Sequence, residues 1–182
     1  MPPKKRRTYI DEDQIDINKN IGYSKEAIKL YGSLKSGIGS EKIANRLFEE
    51  VLEAEARITN SKTDMHDKID SIIISKDIIL LLQIKTKMME FMKKNKDKII
   101  QEVGFGAEGL EKKKFFEGSE RIKKEIEEML GAENKNKLPI KAVWFTIPTE
   151  WKNGKGKGYD QRLEEAVIKW CGENDIKKVK SQ

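Results

Sequence analysis

Two short apolar runs parted by a polar break form the most informative pattern of the chain. They lie within residues 64–86 and are separated by Ser75, Lys76 and Asp77. Runs of β-branched and aliphatic residues of this length are typical of adjacent antiparallel strands rather than of one helix. The pattern therefore predicts a β-hairpin.

This hairpin would gather three polar side chains at one end of an apolar face. If Lys76 and Asp77 form the turn, Asp70 lies opposite Gln83. Because side chains alternate along a strand, Asp70, Gln83 and Lys85 then share one face, with cross-strand neighbours about 5 Å apart. A three-residue loop would break this register. The alternative interpretation is that the strand ends simply reach solvent, where such residues are ordinary.

The three side chains suit phosphate chemistry. The Asp70 carboxylate and the side-chain oxygen of Gln83 are hard donors of the kind that Mg²⁺ prefers. Lys85 could hold or activate a water molecule and offset the charge that develops on a phosphate. The hairpin therefore predicts a candidate metal site.

A helix is predicted upstream of the hairpin, from Ser40 to Arg57. Its apolar residues recur at the three-and-four spacing of one helical face. They are Ile43, Ala44, Leu47, Phe48, Val51 and Leu52. Ser40 is a plausible N-cap, which puts Glu41 in the first turn. The helix dipole favours an acid there whether or not a metal binds.

The remaining pattern predicts further helices and one more strand. We expect residues 1–20 to be a loosely attached tail and residues 21–182 to form a single domain. The predicted elements are a short helix over 24–35 interrupted by Gly32, Gly37 and Gly39, a helix over 87–103, a helix from Ser119 to Leu130 ended by Gly131, a strand from Leu138 to Ile147 ended by Pro148, and a helix from Asp160 to Trp170.

The spacing of the polar residues resembles a known nuclease signature. Asp70, twelve intervening residues and then Gln83-Ile84-Lys85 resemble the core of the PD-(D/E)XK superfamily in its Gln-x-Lys variant. Residues 39–47 are similar to the first helix of archaeal Holliday junction resolvases and Mrr-type restriction enzymes. The family's proline is absent, since Ile69 precedes Asp70. The resemblance implies an α/β fold with a restriction-endonuclease-like core, a central mixed β-sheet flanked by helices.

The resemblance also implies a set of site residues. Mg²⁺ or Mn²⁺ would be held by Glu41, Asp70, the Gln83 side-chain oxygen and the Ile84 carbonyl, while Lys85 would position the water that cleaves a phosphodiester bond to leave a 5′ phosphate. Gln83 replaces the usual acid, which weakens the pull on a divalent cation and makes Glu41 more necessary. Some active members carry Gln there. The alternatives to Glu41 further along the same predicted helix are Glu49, Glu50, Glu53 and Glu55.

Composition limits the other classes of function. The chain has 182 residues, of which 37% are charged, and a single cysteine and histidine, Cys171 and His66. An internal disulfide, a cysteine-cluster zinc site and a well-supported catalytic triad are therefore excluded. No apolar stretch approaches the length of a membrane span, and the basic start lacks the apolar segment of a secretory signal. We expect a cytoplasmic protein, or a nuclear one if the host is eukaryotic.

The charge indicates a polyanionic partner, and DNA is the partner that the resemblance implies. The net charge is +6, which favours salt-sensitive binding of DNA. We assign DNA contacts to Lys152, Lys155, Lys157 and Lys87. Trp151 and Tyr159 flank the first three lysines and would either stack an unpaired base or pack on the fold. The resembling enzymes act as homodimers, so a homodimer is expected.

Two other functions stay open at the level of sequence. Gln83 is compatible with a DNA-binding module that keeps this fold without chemistry. A protein-interaction factor with an incidental basic surface is a third possibility, and it predicts no salt-dependent affinity for DNA.

Overall fold

The computed structural model describes residues 25–59, 67–131, 138–152 and 158–177. The elements in chain order are α1 (Lys25–Leu52), β1 (Glu55–Ile58), β2 (Ser71–Ile74), β3 (Ile79–Lys87), α2 (Met89–Asn95), β4 (Ile100–Glu102), α3 (Leu110–Leu130), β5 (Ile140–Pro148), a 3-10 turn (Thr149–Trp151) and α4 (Gln161–Glu173). The predicted tail over residues 1–20 lies outside the described residues.

The described strands form one mixed sheet in the order β1-β2-β3-β5-β4. β1, β2 and β3 pair antiparallel, β3 and β5 pair parallel, and β4 closes the far edge antiparallel to β5. α3 lies in the connection between the two parallel strands. The protein is thus an α/β fold with helices on both faces of a mixed sheet, which confirms the predicted fold class.

Each face of the sheet carries its own apolar cluster. One face packs against α1 and α4, and its cluster includes the edge-on ring pair Phe48 and Phe145, with centroids 5.4 Å apart. The other face packs against α3, where Phe115 meets Trp144 at 5.9 Å. Because the residues of β3 alternate between these faces, the side chain of Gln83 belongs to the face covered by α3.

The hairpin has the predicted turn and register. Ile74 pairs with Ile79, and Ile72 with Leu81. The turn is closed by the Ser75 N–H, which donates to the Ile78 carbonyl at 3.0 Å, and the Ser75 hydroxyl accepts from the Ile78 N–H at 3.1 Å. This serine therefore fixes the register that decides which side chains meet at the other end of the strands.

The first helix differs from the prediction. α1 continues from Lys25 through Leu52, so Gly32, Gly37 and Gly39 do not interrupt it and Ser40 is not an N-cap. The predicted helical continuation to Arg57 is also wrong, because residues 55–58 turn back as strand β1 to cover the edge of β2. Glu41 therefore lies in the middle of a helix, where the helix dipole does not favour an acid as it does in a first turn.

The predicted helix over 87–103 is wrong in its second half. Its first part forms α2, which ends at Asn95, with Lys96 in a left-handed conformation at φ 54°. The following residues form the edge strand β4 beside β5. In this segment the buried Ile100 and the partly exposed Gln101 alternate as they do in an edge strand, so the segment is a strand and not a continuation of the helix.

Candidate functional site

Asp70 and Gln83 meet at the open end of the hairpin, as the register predicts. The regular ladder ends at Ser71 and Leu82, and the Asp70 N–H donates to the Leu82 carbonyl at 2.8 Å. Oδ2 of Asp70 accepts a hydrogen bond from Nε2 of Gln83 at 2.5 Å and another from the Ile84 N–H at 2.6 Å. The predicted contact between the carboxylate and the amide is therefore confirmed.

Both side chains are buried at this point. Asp70 is 7% exposed and Gln83 5% exposed. Removing a carboxylate from water is costly unless hydrogen bonds compensate, and the two donors to Oδ2 supply that compensation. The arrangement holds the carboxylate in one position at the rim of an apolar face formed by Ile79 and Leu81.

Lys85 lies further along the same face of β3, held between an aromatic ring and an acid. Its Nζ lies 5.6 Å from the centroid of the Trp144 ring and 3.5 Å from Oε1 of Glu111. The lysine side chain is 31% exposed, whereas Glu111 is 70% exposed. These contacts place the ammonium at the rim of the site, where it still faces solvent.

Trp144 and Glu111 are site residues that the sequence reasoning missed. Trp144 pairs directly with Gln83 across the parallel β3 and β5 strands and is 5% exposed. Lys112 also lies over this ring, at 5.6 Å, and donates to Oε1 of Gln101 at 3.3 Å. The alternation of β5 could have placed Trp144 on this face. No sequence signal distinguishes Glu111 from its many acidic neighbours, because its contact depends on how α3 crosses the sheet.

Glu41 lies on the helix that covers the opposite face of the sheet. Its neighbour Ser40 is buried, and the Ser40 and Thr86 hydroxyl oxygens are 2.6 Å apart, which puts this part of α1 at the same end of β3 as Lys85. Glu41 itself is half-buried. One turn later, Oδ1 of Asn45 is buried with no hydrogen-bond partner among the described residues. Glu41 thus lies near the end of the sheet, but on a different face from Gln83.

Glu50, one of the alternatives to Glu41, contacts other side chains. Its Oε1 accepts from Arg46 Nε at 3.2 Å and its Oε2 accepts from the Tyr159 hydroxyl. Burial, followed by this hydrogen bond, raises the pKa of Tyr159 above its ordinary value. Tyr159 is 2% exposed within the cluster between α1 and α4. Of the two alternatives for Tyr159, the structure therefore shows packing on the fold and not stacking with an unpaired base.

The lysines assigned to DNA are placed in different ways. Lys87 forms an ion pair with Asp97, with Nζ 2.7 Å from Oδ2. Lys152 is half-buried, and burial lowers its pKa. Lys155 and Lys157 lie outside the described residues. Of the four lysines, the described geometry therefore bears only on Lys87 and Lys152.

The donors at the hairpin end fit a hard divalent cation in kind. Asp70 offers a carboxylate, Gln83 an amide oxygen and Ile84 a main-chain carbonyl, all oxygen ligands. In the structure the Gln83 amide turns its nitrogen toward Asp70. Binding a shared cation through Oε1 would require the amide to turn over, a change that alters no backbone. No group of three His, Cys, Asp or Glu side chains suited to a metal occurs within the described ranges.

Comparison with known proteins identified no relative of this chain. No family model, no curated protein and no solved structure matches the chain. The nuclease resemblance therefore depends on the residues of the hairpin and on α1. Among the described helices, none has the length and apolarity needed to cross a membrane.

Proposed function

We propose that the protein is a Mg²⁺-dependent endodeoxyribonuclease of the PD-(D/E)XK type. The observation that carries the proposal is the contact between Asp70 and Gln83 at the end of the hairpin, with Lys85 further along the same face of β3. A buried carboxylate that meets an amide, on the sheet face that also carries a lysine, provides the residue types that the resembling signature requires.

Each residue of the site has a role in this proposal. Asp70, the Gln83 side-chain oxygen and the Ile84 carbonyl would hold the cation, Mg²⁺ or Mn²⁺. Glu41 would complete the set only by reaching past the end of the sheet from its other face. When bound, the cation supplies Lewis-acid stabilisation of the oxygen that leaves phosphorus. Lys85 orients the attacking water and offsets charge on the phosphate, and its contacts with Trp144 and Glu111 hold the ammonium in place.

DNA and a second copy of the chain are the proposed partners. The net charge of +6 supports association with a polyanion. The enzymes that the chain resembles cut branched DNA as homodimers, since a junction offers two equivalent strands. Restriction of foreign DNA and processing of a viral genome are alternative settings for the same chemistry.

A second candidate is a DNA-binding module without catalysis on the same fold. It is favoured by one observation, that Asp70 accepts hydrogen bonds from Gln83 and Ile84 while Lys85 pairs with Glu111, so the polar groups of the site are partnered by one another. A side-chain set that satisfies itself in this way can persist for stability alone.

Cleavage assays on linear, flapped and four-way DNA with Mg²⁺ or Mn²⁺ test the proposal. We expect at least one substrate to be cut, and Asp70→Asn and Lys85→Ala to lower the rate about 100-fold or more while DNA binding persists. Asp70→Asn is informative because an amide oxygen can still accept the hydrogen bonds from Gln83 and Ile84, so the change removes charge with little loss of packing.

Lys141→Ala is a matched control for Lys85→Ala. Lys141 lies on the neighbouring strand β5 and also pairs with a glutamate, Nζ lying 2.8 Å from Glu102 Oε2. Its loss should leave cleavage unchanged. Absence of cleavage by the folded protein on every substrate with both metals would favour the noncatalytic module, and equal rates for Lys85→Ala and the unmodified protein would contradict the assigned role.

A further inference from the structure

A cavity of 640 Å³ opens at the end of the sheet where β3 and β5 both finish. Its walls include Met89 and Met92 from α2, Trp151 from the 3-10 turn after β5, and Arg162 from the first turn of α4. This volume lies within the range of about 300–1,000 Å³ that is typical of small-molecule sites. None of these residues has a role in the proposed cleavage site.

A stacked pair forms one wall of the cavity. The guanidinium carbon of Arg162 lies 4.5 Å from the centroid of the Trp151 ring. Nε and Nη2 of Arg162 donate to the Asp160 carboxylate at 3.0 and 2.9 Å, which fixes the plane of the guanidinium. The arginine side chain is still 56% exposed. A second planar group can therefore stack on its outer face, as nucleobases do on arginine.

The charges around the cavity favour an anion. Of its two acids, Asp97 pairs with Lys87 at 2.7 Å, whereas Glu150 accepts the Met89 N–H at 3.0 Å and keeps its negative charge, against the three cationic side chains of Lys93, Lys96 and Arg162. Lys93 and Lys96 also line the cavity, and both are exposed. Neither lysine forms an ion pair within the ranges that the structure describes. Their charge is thus available to a phosphate.

We propose that this cavity binds one unpaired nucleotide of a DNA strand, with its base stacked on Arg162 and its phosphate beside Lys93 and Lys96. Met89 and Met92 supply adaptable apolar contacts to the sugar and the edge of the base. The inference rests on the proposed function in taking DNA as the source of the nucleotide. It adds a preference for strands that carry an unpaired base near the cleavage site.

The position of the cavity relative to Lys85 supports this preference. Lys87, the last residue of β3, lies about 7 Å beyond Lys85 along the strand, and α2 follows directly. Trp151 packs against the cluster on the face opposite to Lys85. A DNA strand that reaches both places therefore crosses the end of the sheet, which an unstacked single strand can do more easily than a rigid duplex.

Binding of short oligonucleotides in EDTA tests the inference without cleavage. A labelled thymidine tetranucleotide is compared by fluorescence anisotropy with an abasic tetranucleotide that has the same phosphates. We expect the base-bearing strand to bind about tenfold tighter, the low end of what stacking of one base provides. Arg162→Lys keeps the charge but loses the planar stack, so it should remove most of this preference.

Lysine variants separate the phosphate contact from the stack. Lys96→Ala should lower the affinity for both oligonucleotides by a similar factor, about threefold or more, because it removes a charge but no stacking surface. Lys98→Ala is the matched control, since Lys98 is an exposed neighbour that does not line the cavity. Trp151→Phe retains an aromatic ring under the guanidinium and should retain the preference for a base.

Equal affinities for the two oligonucleotides would overturn the inference. It would also be overturned if the folded Arg162→Lys variant kept the whole preference for the base-bearing strand. Thymidine monophosphate that binds as tightly as the tetranucleotide would assign the cavity to a free nucleotide and overturn it as well. Cleavage measured in parallel keeps the two proposals apart. A base preference without any cleavage leaves this inference intact and ends the nuclease proposal, whereas cleavage without a base preference does the reverse.

Discussion

At the scale of single residues, Gln83 determines how the hairpin end behaves without a cation. Its Nε2 donates to Asp70 Oδ2 at 2.5 Å, so a neutral amide occupies the place nearest to a buried carboxylate. A carboxylate at this position would bring two like charges together in a poorly solvated region. Compared with a glutamate, the amide therefore makes the protein more stable, and it would bind the proposed cation more weakly.

Gln83→Glu should lower the stability of the protein without a cation and raise its affinity for Mg²⁺. In EDTA we expect the variant to lose about 1–3 kcal/mol of stability, because Asp70 loses a hydrogen-bond donor and gains a like charge. Mg²⁺ should raise its melting temperature more than that of the unmodified protein, since binding to the folded state stabilises it. Thermal unfolding with and without Mg²⁺ measures both effects.

Gln101→Glu provides the comparison for this experiment. Gln101 lies on β4 and accepts a hydrogen bond from Lys112, so the change adds an acid to the same sheet away from Asp70. It should show no Mg²⁺-dependent gain in stability. A similar response of both variants to Mg²⁺ would mean that Asp70 does not take part in cation binding.

The candidate site could be predicted from the sequence only where local register determines it. Asp70 and Gln83 meet because the turn at Ser75 fixes the pairing of two consecutive strands. The position of Glu41 depends on how a long helix lies across the sheet, and that of Glu111 on the crossing of α3. Such placements depend on packing between distant segments, which strand periodicity does not encode.

At the scale of elements, the first half of α3 was not predicted from the sequence, because it contains a glycine that a close contact requires. The helix begins at Leu110, whereas the pattern placed its start at Ser119. Gly118 lies inside it, and a Cβ there would be 2.4 Å from the Asp67 backbone. Glycine is unfavourable in a helix interior but is required where the backbone of another segment lies this close.

Gly118→Ala should destabilise the protein by about 1–3 kcal/mol or more, because the added methyl group overlaps backbone atoms that cannot easily move. Gly172→Ala is the matched control. Gly172 also lies in a helix, but a Cβ there would meet nothing within 4 Å. It should stabilise α4 by up to about 1 kcal/mol. Urea unfolding of both variants measures the difference, and equal effects would contradict the close contact.

Other elements could be predicted where a short sequence feature, such as an apolar run or a terminating residue, determines where they begin or end. The strand at residues 140–148 and the turn of the hairpin follow from apolar runs ended by Pro148 and by Ser75. The helix end at Gly131 also follows, and this residue has φ 51°. β1 and β4 were missed because each is an edge strand of a few residues whose pairing partner, rather than its own pattern, makes it a strand.

At the scale of the whole molecule, the net positive charge is the feature that supports the proposed attraction to DNA. The net charge is +6, but Lys87, Lys85 and Lys141 each pair with an acid. Exposed ion pairs of this kind contribute little to stability. The electrostatic potential at long range therefore depends mainly on the net charge.

DNA affinity should therefore fall steeply with salt. Between roughly 50 and 200 mM salt we expect a loss of about tenfold or more, because each neutralised phosphate releases counterions. Filter binding in EDTA with linear and four-way DNA measures the slope. Affinity that does not change with salt, or no binding at low salt, would favour a protein-interaction factor with an incidental basic surface.

The pairing of β3 has a consequence for the order in which the chain folds during synthesis. β3 pairs on one side with the strand just before it and on the other with β5, which begins only at Ile140. On the ribosome, the hairpin that joins Asp70 to Gln83 can close early, since its contacts are local. Trp144, which supports Lys85, emerges much later. Nascent chains arrested before β5 should therefore hold the carboxylate and amide together while the lysine still lacks its aromatic support.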